Sequence, residues 1–138
     1  MHSRRRILMA AVLVPVAATG CSAAPTSIRN PPPVVVSRPA DGVSLRQLGF
    51  TNGPVDVVFL PAQATITRRV DQVNVTTAFG PAAEGATVQA FLRRTLQTDI
   101  WKVDADSPGA LLFANQGFSA AFTISDDLWA LTIRRKPA

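Results

Sequence analysis

Apolar and polar positions alternate most clearly near the C-terminus. In "FSAAFTI" (residues 118–124), Phe118, Ala120, Phe122 and Ile124 share one side, and Ser119, Ala121 and Thr123 share the other. A period of two is the signature of a strand with one buried face. "LWALTIRR" (128–135) repeats the pattern with Trp129, Leu131 and Ile133 as its apolar set. "IWKV" (100–103) and "ALLFA" (110–114) read as shorter strands, and "DADSPG", "NQG" and "SDD" supply the turns. Further upstream, Val73, Val75, Thr77 and Phe79 form the more apolar set against Asn74, Thr76 and Ala78. Ile66 and Val70 belong to the strand before it, across a "VDQ" turn, and "VDVVFL" (55–60) reads as a further short strand.

Between these strands the period changes. Val88, Phe91, Leu92, Thr95 and Leu96 fall at i, i+3, i+4, i+7 and i+8, one stripe of an amphipathic helix. Gln89, Arg93, Arg94 and Gln97 take its outer side, with the two arginines near the end where positive charge complements the helix dipole. Short loops favour antiparallel hairpins over crossovers. The expected fold is therefore α+β, a two-layer sandwich in the order β-β-α-β-β-β-β, with one main helix on the apolar face of an antiparallel sheet.

Two N-terminal segments stand apart from this domain, which spans residues 41–138. Residues 1–20 carry three arginines and then a run of fourteen residues, Ile7 to Gly20, interrupted by Pro15. About 20 apolar residues are needed to cross a bilayer, so the run reads as a cleaved secretory signal. Residues 21–40 are proline-rich and contain no acid. Proline fixes φ and removes a donor, which makes this stretch an extended tether. Val34-Val35-Val36 within it has edge-strand composition.

Ala18-Thr19-Gly20-Cys21 resembles the lipobox of bacterial lipoproteins, with Ala18 where the family usually carries Leu. The resemblance implies cleavage between Gly20 and Cys21 and a diacylglyceryl thioether on Cys21. Two acyl chains anchor a protein stably where one does not. Ser3-Arg4-Arg5-Arg6-Ile7-Leu8 also resembles a twin-arginine export motif, which carries folded cargo; the general export route fits the same residues. The domain resembles uncharacterised lipid-anchored proteins of the actinobacterial type. The residues that carry this likeness are Leu60-Pro61 and Ala64 in an opening strand, Phe91 in the helix, Trp101 after it, and the closing hairpin from Leu111 to Ile133. It implies a place on the extracytoplasmic face of the cell membrane and no particular activity.

Composition then removes most chemistries. The chain has 14 Lys+Arg and 9 Asp+Glu, formally +5, but without Arg4, Arg5 and Arg6 the balance is 11 to 9, or +2. A nucleic-acid binder concentrates basic charge in a stripe, so nucleic acid is not an expected partner. The single histidine is His2, the single cysteine is Cys21, and there is no tyrosine. A mature chain beginning at an acylated Cys21 lacks the groups for Ser-His-Asp or Cys-His catalysis and for thiolate or imidazole zinc sites. No cofactor is expected.

What remains is carboxylates, arginine doublets and one sheet face. Asp104 and Asp106 in "DADSPG" have oxygen-ligand spacing with a glycine at 109, but the twelfth position is Asn115 and Pro108 takes a ligand place, so the calcium-loop pattern is incomplete. Asp126-Asp127 sits where turn residues bond nearby backbone. Lys102 and Lys136 lack a preceding Ser-x-x-Lys, and Asn74-Val75-Thr76 is a formal glycosylation sequon. The doublets Arg68-Arg69, Arg93-Arg94 and Arg134-Arg135 have the charge to touch anionic headgroups or simply to keep strands soluble. One helix leaves one sheet face uncovered, and the small, nearly uncharged set Ser119, Ala121, Thr123, Ala130 and Thr132 marks it as a candidate binding surface. The leading expectation is a lipid-anchored, non-enzymatic binding module for an envelope protein or an apolar ligand; the alternative is a carboxylate- or calcium-dependent envelope hydrolase.

Overall fold

The computed structural model of the chain describes residues 34–137. The signal segment, Cys21 and most of the tether lie outside the described residues. Val34–Ala138 forms one compact unit. In chain order its elements are β1 (Gly42–Ser44), β2 (Phe59–Pro61), β3 (Arg68–Asp71), β4 (Val75–Pro81), a single 3-10 turn (Ala82–Glu84), α1 (Gly85–Thr95), β5 (Lys102–Ser107), β6 (Ala110–Ala114), β7 (Phe118–Ile124) and β8 (Leu128–Arg135). The fold is α+β, with one short helix among the described residues and a mainly antiparallel sheet.

Six strands form that sheet in the order β3-β4-β8-β7-β6-β5, and β1 pairs with β2 as a separate ribbon. Every pairing is antiparallel. The hairpins β5-β6-β7-β8 follow from the short turns, and β8 then closes onto β4, so the strand before the helix borders the last strand. The ribbon precedes the seven expected elements. "VDVVFL" contributes only its last two residues to β2; Val55 and Val58 are buried in turns instead, where their carbonyls accept from Arg46 N and Leu45 N at 3.1 Å each. Val34-Val35-Val36 forms no strand. Gln97 holds this stretch, its Oε1 accepting from Ser37 N at 2.8 Å and its Nε2 donating to Val35 O at 3.1 Å.

The core lies between the sheet on one side and α1 with the 42–60 segment on the other. It joins Leu45, Phe50, Val55, Val58 and Leu60 to Val88 and Leu92 of the helix and to Leu111, Phe113, Phe122, Trp129, Leu131 and Ile133 of the sheet. Trp101 meets Phe113 edge-on, centroids 5.1 Å apart, and donates from Nε1 to Val57 O at 3.2 Å. One side chain thereby ties the irregular segment to the strands. The helix keeps its expected stripe, but Gln89 is 4 % exposed. Gln89 Nε2 donates to Ser107 O at 2.7 Å, and its Oε1 accepts from Gly109 N at 3.0 Å. It fixes the β5–β6 turn, where Gly109 has a φ of 80°.

The face assignment of β4 is the reverse of the expected one. Thr76, Ala78 and Gly80 pair with Ile133, Leu131 and Trp129 on the core side, which puts Val75, Thr77 and Phe79 on the outer side. The reason is Trp129. A side chain at Gly80 would overlap its indole ring, so the smaller residues of β4 must face inward. Two-sided reading by size fails where one large neighbour claims the space.

Every described core residue and every described strand belongs to the Val34–Ala138 unit, so a chain starting at Val34 carries a core of its own, as a domain that folds alone needs. In that chain Gly80→Ala is expected to cost about 1–3 kcal/mol, the range for overpacking. Gly117→Ala, where a Cβ meets only Asn115 Oδ1 at ordinary distance, is expected to be near neutral. Urea unfolding of the two variants checks both, and equal midpoints would contradict the packing account.

Candidate functional surface

The register of the six strands sorts the outer face into three rows. The central row runs Val70, Thr77, Thr132, Ala121, Leu112, Ala105 across β3, β4, β8, β7, β6 and β5. One flanking row runs Arg68, Phe79, Ala130, Thr123, Ala110, Ser107, and the other Val75, Arg134, Ser119, Ala114, Lys102. All five residues read from the sequence as a surface, Ser119, Ala121, Thr123, Ala130 and Thr132, therefore lie together on this face. The reversal of β4 adds Val75, Thr77 and Phe79 to it. A shift in register between Val103 and Ala105 bends the β5 end, as a bulge does.

Small residues make the middle flat. Thr77 is 5 % exposed and Ala130 9 %, whereas Leu112 at 41 % stands out. Thr77 Oγ1 lies 3.4 Å from Thr132 Oγ1, a weak bond at the limit of hydroxyl geometry. A depression of about 280 Å³ opens beside them, lined by Asp104, Leu112, Ala114, Ser119, Ala121, Thr132 and Arg134 among others. Arg68 stands at the β3 corner and Arg134 on β8 along the opposite border, and among the described residues neither has a carboxylate within ion-pair distance. Arg68 instead lies over the Phe79 ring at 5.5 Å, a cation–π contact that fixes the guanidinium on this face.

A larger depression of about 820 Å³ lies between α1 and the β1–β2 ribbon. Its charges satisfy each other: Arg94 Nη2 meets Asp41 Oδ2 at 2.7 Å, and the Arg94 hydrogen bond holds the Asp41 carboxyl below its ordinary value. That leaves it no spare charge for a ligand, and the sheet face carries the better case.

The other candidates separate. "DADSPG" is mostly strand, since β5 continues through Ser107 with all six residues exposed and is held by pairing to β6 rather than by an apolar pattern. Asp106 is held by Arg93 through two bonds of 2.6 and 2.7 Å, and the Arg93 hydrogen bond lowers its carboxyl pKa. Asp104 lines the outer face and lies 3.9 Å from Lys102 Nζ. The two carboxylates are drawn to different partners and do not converge. Among the described residues no three His, Cys, Asp or Glu gather as a metal site. Asp126 and Asp127 occupy the exposed β7–β8 turn, closed by Ser125 N to Leu128 O at 2.8 Å.

Asp71 has no counterpart in the sequence reading. Its Oδ2 accepts from Thr51 N at 2.9 Å and Thr51 Oγ1 at 3.0 Å, and its Oδ1 from Asn52 N at 2.9 Å and Asn52 Nδ2 at 3.1 Å. Arg69 Nη1 adds a bond to Leu48 O at 2.7 Å. Together they fasten β3, the edge strand of the outer face, to the 48–52 loop. Only the "TN" pair before a glycine hinted at a carboxylate clamp. No family model, curated protein or solved structure matches this chain.

Burial pushes the Asp71 carboxyl up, but its four accepted hydrogen bonds outweigh that and leave it below the ordinary value. The unfolded group titrates near about 3.9. Its stabilising contribution is therefore present above about pH 4 and lost as pH falls through the lowered folded value. Asp71→Asn is expected to cost about 1–3 kcal/mol at pH 7, as for hydrogen bonds to a charged group, and the difference from the parent should shrink below about pH 4. Denaturation at pH 7 and pH 3 measures it, and a constant difference would contradict the clamp.

Proposed function

We propose that the protein is a lipid-anchored component of the cell envelope, held at the extracytoplasmic face of the membrane through Cys21, whose domain is a non-enzymatic binding module. In this reading the domain is a two-layer arrangement with the helix and ribbon over one sheet face, and the other face meets the partner. The observation that carries it is the outer face itself. Three rows of mostly small or apolar side chains form a flat surface, with Arg68 and Arg134 on its opposite borders lacking carboxylate partners among the described residues. An antiparallel sheet tolerates water on such a face, but two uncompensated guanidiniums beside exposed apolar area favour a partner surface over plain solvation. The partner this suits is a protein that presents an acidic, partly apolar segment.

The anchor rests on the lipobox resemblance and on the proline-rich stretch that follows it. Mass analysis of the N-terminal peptide, taken from cell membranes, should show residue 21 carrying a diacylglyceryl group; an unmodified Cys21 would contradict the anchor. For the surface, Ala121→Glu together with Thr132→Glu places two anions in the central row, where they repel an acidic partner. The double variant should lose the complex seen by cross-linking in intact envelopes while keeping the parental unfolding midpoint. A complex that forms as before would overturn the assignment of this face.

A further inference from the structure

The strands carry charge unequally along their length. The end where β8 finishes and β5 begins carries Lys102, Arg134, Arg135 and Lys136 beside the 72–74 and 115–117 turns, with Arg134 on the outer face. Arg135 N donates to Asn74 O at 3.0 Å and Lys136 N to Gly117 O at 2.9 Å, which fastens the last residues of β8 between those two turns. Arg135 Nε donates to Val73 O at 3.3 Å while its guanidinium lies over Phe118 at 5.1 Å. Three carboxylates belong to this end: Asp104, near Lys102 at 3.9 Å; Asp99, which accepts from Gln97 Nε2 at 3.4 Å; and Asp71 at the end of β3, whose oxygens are taken up by Thr51 and Asn52. Arg134, Arg135 and Lys136 have no ion-pair partner among the described residues. The opposite end of the strands holds Glu84, Asp126 and Asp127.

Two further observations fall at the basic end. Val73, at the tip of the β3–β4 turn, is 66 % exposed. The described chain also begins there: Val34 and Val36 line a depression with Lys102, Gln116, Gly117 and Phe118, and Val34 and Val35 are exposed. The described chain thus enters the domain at the same end as these cations, beside Lys102 and Asp99.

We propose that this end docks on the anionic headgroups of the bilayer, with Arg135, Lys136 and Lys102 facing the lipid phosphates and Val73 at the interface. The inference rests on the anchored reading, in that the tether delivers this end to the membrane. Docking by the end sets the strands across the membrane surface at a steep angle and leaves the outer sheet face open sideways to a partner. Each basic residue near an anionic surface strengthens partitioning about fivefold, and the attraction weakens with salt.

The test uses the domain from Val34, which lacks Cys21, with vesicles of phosphatidylcholine alone or with phosphatidylglycerol. The parent should bind the anionic vesicles and not the neutral ones, and release at high salt. Lys102→Gln with Lys136→Gln should lower partitioning by about twentyfold to thirtyfold, the product of two such steps, with an unchanged unfolding midpoint. Asp126→Lys changes net charge by the same amount at the far end and should leave binding unaltered. No binding to anionic vesicles overturns the inference, and so does a rise with Asp126→Lys that matches the loss at 102 and 136, because binding then follows net charge alone. Equal partitioning of the parent and the Lys102→Gln, Lys136→Gln variant overturns it too. Since this domain carries no lipid, failure here is separate from failure of the anchor, which the mass of the residue-21 peptide decides.

Discussion

The Trp129 indole occupies the space that a side chain at Gly80 would need, and the rest of the sheet is ordered around that contact. With Trp129 inward, β8 presents Leu131 and Ile133 to the core, and β4 must present Thr76, Ala78 and Gly80 beside them. Phe122 of β7 then stacks at 5.9 Å from Trp129. The same contact sends Val75, Thr77 and Phe79 outward. An eleven-residue helix and an irregular segment cover the inner face, and no described element lies over the outer one. The open face is thus a consequence of how one large residue packs, joined to a shortage of covering elements.

Strands with strict alternation and short turns were legible: β6, β7 and β8 lie within the expected stretches, and the apolar sets of β7 and β8 lie inward as their period requires. The helix was legible from its stripe. Three features were not. The orientation of β4 depends on a residue nearly fifty positions away, and hydrophobicity favoured the wrong side because Val75 and Phe79 outweigh Ala78 and Gly80. The strand expected at "IWKV" begins only at Lys102 and runs on to Ser107 with every residue exposed, so no apolar period could set its bounds; its partner strand defines them. Gln89 looked like a solvent-facing residue, yet it sits buried on the flank of the stripe because both ends of its amide find backbone partners in the β5–β6 turn. As for the surface, its five small residues were visible from β7 and β8 alone, whereas the Phe79–Arg68 pair and Val75 became part of it only through the reversal of β4.

Charge distribution separates two roles on one small domain. Of the three arginine doublets, Arg93-Arg94 is committed to Asp106 and Asp41. Arg68-Arg69 is divided between the Phe79 ring on one face and the Leu48 carbonyl and Phe50 ring on the other, as the alternation of a strand demands. Only Arg134-Arg135 joins further cations at one end. On the proposed reading, a basic end and a flat, mostly uncharged sheet face give the domain one surface for a membrane and another for a partner.

The central claim is that the outer sheet face is free in the isolated domain and covered in the envelope. Thiol labelling at Ala121→Cys tests it most directly, because Cys21 is the chain's single cysteine and a thioether there would leave position 121 as the only reactive sulfur. The account predicts fast labelling of the purified domain and labelling slowed at least tenfold in intact envelopes. Equal rates in the two settings would contradict it, leaving the face an ordinary solvated surface of the sheet.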